Sequence, residues 1–475
     1  MNTASIRPCY SFVQCKCSRA LLSVVFAIVL AFVSHDACAQ FTFATDNASN
    51  YGGSWTDNSN GGSGFSAWDI FYGDNTGTFI GNPSSNGMGT AGIGTTAFGL
   101  YATGSQYVDA YRGGFTLNVG DTMSFYWAMN FDASSGAKGF DFRVGNTGVF
   151  NVNNGGSTTI STSTGNATTD YGTTPMFVTL TRNSGTQYGF SMTSKSGGST
   201  YSSTFDQSSA VNNLKIYIGN QNNGAGERNI YFNNFAVTNS GVYSVSQTES
   251  RALTGSGNLV VSNNSTLTLS GDNTFNGTTT VQQGSTLELN ATTGAAAGAT
   301  TSISVGASTA KLLLSKSDQV NNSATVTLSG GTIELNNGIT ETFGPLNLSA
   351  ASTLNFGSAN PGTGNLSVGN YEGGTSLPDF LLTINSFTPG NSFTFINSAF
   401  NPAGSNIGSY FTFGTGFVNS SITDNGSGSF TITAIPEPST YAAAAGLLAM
   451  FLWPVRRRLV KDAKFLLGLC PNGRA

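Results

Sequence analysis

The side chains that carry most covalent chemistry are missing from most of this chain. Its one histidine, His35, and four of its five cysteines, Cys9, Cys15, Cys17 and Cys38, lie in the first 39 residues, and the fifth is Cys470. From Gln40 to Ile435 there is neither. Ser-His-Asp and Cys-His nucleophiles, disulfides and His or Cys metal sites are therefore excluded across that span. Carboxylate chemistry remains. Asp132 with Asp141, and Asp109 with Asp121, are pairs that a folded sheet can bring to the spacing at which two carboxylates hydrolyse a glycosidic bond. Lyase chemistry on a repeat scaffold asks for a base beside acidic calcium ligands, and the repeat region offers only Lys311 and Lys316 with Asp318 nearby. Asp57 to Gly62, DNSNGG, alternates oxygen donors but lacks the later carboxylates of a calcium loop and reads as a turn. No metal or cofactor is expected.

Aromatic side chains are the richer resource. Trp55, Trp68 and Tyr72, with Asp69 among them, have the composition of a glycan platform, in which ring faces stack on sugar C–H groups and a carboxylate takes hydroxyls. Tyr101, Tyr107, Tyr111, Asp74 and Asp109 extend the set. The competing demand on every one of these rings is the core. The span holds 10 Lys plus Arg against 20 Asp plus Glu, a net charge of −10, which excludes nucleic acid as a partner.

The elements that must position these groups are strands. Gly, Thr, Ser and Asn are abundant, Lys and Glu scarce, so helix propensity is low and turns are frequent. From residue 40 to 248 apolar residues alternate with polar ones. In TMSFYWAMNFD the residues Met123, Phe125, Trp127, Met129 and Phe131 share one face. The apolar phase shifts between Ile230–Phe232 and Phe235–Val237, which predicts a bulge at Asn233-Asn234. NFDASSGAKGFDF reads as a hairpin connection. These strands predict a β-sandwich of jelly-roll character, similar in pattern to concanavalin-like lectin domains, with FGLYATGSQYVDAYRGGFTLNVG carrying the likeness.

Another rhythm runs from 249 to 368. TLTLSG and TLELN place Leu267 and Leu287 twenty residues apart, and KLLLS, TVTLSGGTIELN, PLNLSA and TLNFGS follow. Rungs of that length with inward Leu, Val and Ile predict a parallel β-helix, in which each coil buries its apolar residues by stacking on its neighbours. The stretch GSGNLVVSNNSTLTLSGDNTFNGTTTVQQGSTLEL resembles the autotransporter-associated β-strand repeat, matching at Gly257, Leu259, Leu269, Ser270, Gly271, Asn273, Thr274, Phe275, Gly277, Thr279, Val281, Gly284 and Leu287. The resemblance implies a right-handed β-helix of the kind found in secreted passenger domains. Residues 369–434 read as a further β segment, too short for an outer-membrane barrel.

Both ends carry addresses. Arg7, Lys16 and Arg19 precede an apolar run from Ala20 to Val33, and Ala37-Cys38-Ala39 fits a signal cleavage site, so 1–39 reads as a signal peptide with Gln40 as the new terminus. At 435–475, Pro436, Glu437, Pro438 and Ser439 precede a 15-residue apolar helix over 441–455, about 22 Å long against about 30 Å of hydrocarbon. Arg456, Arg457 and Arg458 then favour a cytoplasmic distal side. This resembles the PEP-CTERM sorting signal. The resemblance implies an exosortase-like membrane protease as partner, a transient inner-membrane anchor, and delivery to the envelope, outer surface or extracellular polysaccharide. The sequence thus predicts an exported all-β structural or adhesive protein, not an enzyme. A glycan-binding sandwich is the expected head, and an exported carbohydrate-active enzyme with a carboxylate pair is the alternative.

Overall fold

The computed structural model describes residues 40–435, apart from 130–135, 155–158, 168–173, 196–199, 221–227, 358–363, 375–376, 403–405 and 415–419. The expected signal peptide, with Ala37 and Ala39, and the sorting residues Pro436, Glu437, Pro438, Ser439, Arg456, Arg457 and Arg458 lie outside the described residues. So do helix 441–455 and Asp132. Among the described residues no helix is long and apolar enough to cross a membrane.

Alternation in the first half folds as predicted into a sandwich. Its strands are β1 (Phe41–Asp46), β2 (Asp69–Tyr72), β3 (Gly77–Gly81), β4 (Ala97–Tyr101), β5 (Tyr107–Arg112), β6 (Asp121–Met129), β7 (Ala137–Val144), β8 (Thr147–Asn154), β9 (Ile160–Thr162), β10 (Gly165–Ala167), β11 (Met176–Arg182), β12 (Gln187–Ser194), β13 (Thr200–Asp206), β14 (Asn213–Gly219) and β15 (Ile230–Asn239). One antiparallel sheet runs β13-β12-β11-β6-β15-β4-β3, with β1 also on β15, and the other runs β10-β9-β8-β7-β14-β5-β2. Met123, Phe125, Trp127 and Met129 all point inward and are fully buried. The register of β15 on β6 shifts between Asn233 and Ala236, with Asn234 at φ 57°, so the predicted bulge is present.

The link from β6 to β7 is not the expected hairpin. The two strands belong to opposite sheets, and Phe125 meets Phe140 across the interior at 5.1 Å between ring centres. Polar turn residues mark where a chain reverses, but whether it returns to the same sheet depends on which ring partners close the core.

A parallel solenoid follows from Val242, where Val242–Tyr243 pairs with Leu259–Val261. On one face Leu267, Leu287, Leu312, Ile333, Leu354, Ile384 and Phe413 stack in register. On another, Val261, Val281, Val305, Leu328 and Leu348 do the same. The solenoid runs past the expected end at 368, to Phe411–Phe413. Insertions lengthen the late rungs and hide their period in the sequence. Ser420–Gly426 and Ser429–Ala434 close that end as an antiparallel hairpin on Ser392–Ile396, which covers a sheet edge that would otherwise template further pairing.

The head caps the other end. Phe41, on β1, is fully buried in the solenoid core, edge-on to Phe275 at 5.6 Å. Arg251 lies between Asp121 of β6 at 2.7 Å and Glu249 at 2.6 Å, and both carboxylates are completely buried.

Candidate functional site

Trp55 and Trp68 are not a platform. Each is 1% exposed; their rings meet edge-on at 4.8 Å and both contact Phe98. The loop before β2 folds inward because a buried ion pair, Arg112 to Asp46 at 2.6 Å, sits under it, with the guanidinium 4.9 Å above the Trp68 ring. Trp68 donates to the Tyr51 hydroxyl, which in turn donates to Asp46. Burial raises the Asp46 carboxyl above its ordinary value and Arg112 opposes the shift. Asp57 closes the same loop by accepting from the backbone N–H of Ile70, and DNSNGG is a turn, with Asn58 at φ 64°.

Tyr72 is 44% exposed at the sandwich edge, its hydroxyl 3.4 Å from that of Thr78. Asp69 is exposed on the outer face of β2, directly across from Tyr111 of β5. That pairing begins a band running across the second sheet. Cross-strand neighbours place Asp69, Tyr111, Lys215, Asp141 and Asn151 in one row, and Phe71, Asp109, Tyr217, Gly139 and Asn153 in the next. Inward residues of the same strands, Ile70, Val108, Ala110, Leu214, Ile216, Phe140, Phe142, Phe150 and Val152, are core, so period-2 alternation alone forces this set outward.

The band is internally organised. Lys215 lies 3.8 Å from Asp109 and 3.4 Å from Asp141, and its ammonium sits 4.7 Å over the Tyr217 ring. Arg143 is 3.5 Å from Asp141 and 5.4 Å over Tyr111. Asn151 donates to Asp141 and, at 2.9 Å, to the Tyr217 hydroxyl. Tyr217 lies down over Gly139, where a methyl group would collide with that hydroxyl and with the Val152 carbonyl. Phe71, 54% exposed, stands edge-on to Tyr111 at 5.8 Å, and Tyr107 is 55% exposed. Burial pushes the Asp109 carboxyl up, against the pull of Lys215 and a bond from Tyr111. Burial also drives the Tyr217 phenol well above its usual value, so it acts here as a neutral hydrogen-bonding group.

Of the residues the sequence singled out, the structure brings Asp69, Asp109, Tyr111 and Asp141 onto this face. Asp121 is not with Asp109. It is buried at the head–solenoid junction, its carboxyl raised by burial and opposed by Arg251. Lys311 pairs with Glu334 at 2.8 Å. Phe71, Arg143, Asn151, Lys215 and Tyr217 escaped sequence reading. Their outward phase was legible, but which strands are neighbours was not. Among the described residues no group of three or more His, Cys, Asp or Glu is placed to hold a metal ion.

No family model matches the chain and no curated protein is similar to it. Among solved structures it is similar to the lectin UEA-II complexed with galactose, at 10% identity over 36% of this chain and 92% of that one, with a TM-score of 0.25. An adhesin domain of Lys-gingipain from Porphyromonas gingivalis matches at 13% over 41% and 95%, TM-score 0.21. A catalytic domain of a GH87 alpha-1,3-glucanase in complex with nigerose matches at 11% over 67% and 75%, TM-score 0.15. At these scores the likeness assigns no family.

Proposed function

We propose that this chain is an exported, non-enzymatic surface or matrix protein whose head binds glycan through the outer face of its second sheet and whose solenoid serves as a spacer. The observation that carries the reading is the band itself. Exposed Phe71 and Tyr107 offer ring faces, while Asp69, Asp109, Lys215 and Asn151 offer hydroxyl-binding groups, which is the mixture a sugar requires. The solenoid supports a spacer role because its outward rows are mostly Thr, Ser and Asn, as in Thr266, Thr286, Thr332, Thr353, Thr383 and Thr412. Export by the leader ending at Ala39, and processing at Pro436 to Ser439 by an exosortase-like membrane protease, belong to the same proposal. The test is binding of full-length protein to a glycan array. Phe71→Ala is expected to abolish binding without changing the unfolding midpoint; retained binding would remove the face from the reading. The mass of the mature protein tests the processing arm, with termini expected near Gln40 and Pro436.

A hydrolytic reading is favoured by one observation, that Asp109 and Asp141 flank a single lysine and the Asp109 carboxyl is raised by burial. Release of reducing sugar from a bound glycan, lost in both Asp109→Asn and Asp141→Asn, would establish it in place of simple binding.

A further inference from the structure

Resting on the glycan-binding reading, we infer that this face selects uncharged polysaccharide and rejects uronate-bearing polymers. A carboxylated sugar needs a cation that is free to meet it. Both cations of the band are already committed: Lys215 lies within 4 Å of Asp109 and Asp141, and Arg143 is held by Asp141 and by the Asn146 carbonyl. The uncommitted charge is negative. Asp69 is exposed at the rim, and while Asp109 Oδ2 faces Lys215 and Tyr111, its Oδ1 has no hydrogen bond among the described residues. Three carboxylates against two cations leave the band with a net charge of −1, on a body that is itself acidic. A neutral sugar meets none of this repulsion. Its hydroxyls donate to Asp109 Oδ1 and Asp69 and accept from the ammonium of Lys215, which carries three hydrogens. Its C–H faces lie on Phe71, the most exposed ring of the two rows.

The test is affinity electrophoresis of full-length protein at low salt, with a soluble neutral glucan, mannan and xylan on one side and alginate and polygalacturonate on the other. Neutral polymers are expected to bind at least about ten-fold more tightly, because like charges at these separations repel strongly in a partly desolvated site. Asp141→Asn, which releases Lys215 and Arg143 from one carboxylate, and Asp69→Asn, at an exposed position that leaves folding intact, are each expected to raise uronate binding at least about three-fold. Equal or tighter binding of the uronates by the unaltered protein would overturn the selectivity while leaving the glycan reading in place. Binding to neither class, by protein whose circular dichroism shows it folded, would overturn both.

Discussion

Head and solenoid are built from the same strand-forming residues, yet they bury different things. The sandwich core is ring on ring: Phe98 stacks on Phe232 at 5.7 Å and Phe125 on Phe235 at 5.3 Å, with a buried ion pair beneath. Through its early and middle rungs the solenoid core is mostly Leu, Val, Ile and Ala in columns, each residue held by its copies above and below. Convergence of distant strands explains the contrast. Each sandwich position meets different neighbours, so large rings with directional packing fit one arrangement only. A rung meets another rung, and repeated aliphatic side chains suffice. The consequence is functional: the irregular head can present a mixed face such as the Asp109–Lys215–Asp141 band, whereas the regular stack presents repetitive hydroxyls.

The largest test of this contrast lies where the two regions join. Arg251→Met would strand the buried carboxylates of Asp121 and Glu249, and a loss of about 3–5 kcal/mol is expected. Head and early rungs should then melt as separate transitions. Three of the four tryptophans, Trp55, Trp68 and Trp127, are in the head and the fourth is Trp453, so fluorescence reports the head while hydrogen exchange reports the rungs. A single coincident transition would show that the arginine does not couple them.

Trp68→Ala is expected to cost about 3–5 kcal/mol, as deletion of a core ring does. Leu289→Ala should cost about 2–5 kcal/mol, but its faster exchange should be confined to adjoining rungs. Exchange spreading equally through the head would contradict the regional difference.

A smaller effect is chemical. Glu341 is fully buried in the solenoid, accepting from the N–H groups of Gln319, Val320 and Thr342. Burial outweighs those bonds and pushes its carboxyl up to about 7 from 4.5. Because the folded state holds this proton more tightly, stability is greatest below the unfolded value. It falls between about pH 4.5 and 7, by roughly 3 kcal/mol, then levels. In Glu341→Gln that slope in the unfolding free energy should vanish; its persistence would assign it to another group. Smallest of all, Phe71→Ala should change stability by less than about 0.5 kcal/mol, as a solvent-facing substitution does, even though it removes a ring from the binding face.

Legibility followed the same division. The stacking of Leu267 on Leu287 was readable because a repeat announces its own neighbours, and the phase of β6 was readable because alternation is local. The late rungs were missed since thirty residues pass between Leu354 and Ile384, long enough to lose the rhythm. In the candidate site, Asp69, Asp109, Tyr111 and Asp141 stood out by type. Lys215 and Tyr217 did not, because nothing near them in the chain reveals that β14 lies between β5 and β7.

What the sequence determined by itself was the strand class, the two rhythms, and a body emptied of histidine and cysteine between Gln40 and Ile435. All of these are set by composition and by spacing over a few residues. Only the tertiary structure decided that Trp55 and Trp68 turn inward while Phe71 and Tyr107 face solvent, and that one lysine stands between two aspartates. Burial of a ring and pairing of a charge depend on groups far apart along the chain, and these meet only when the sheets close.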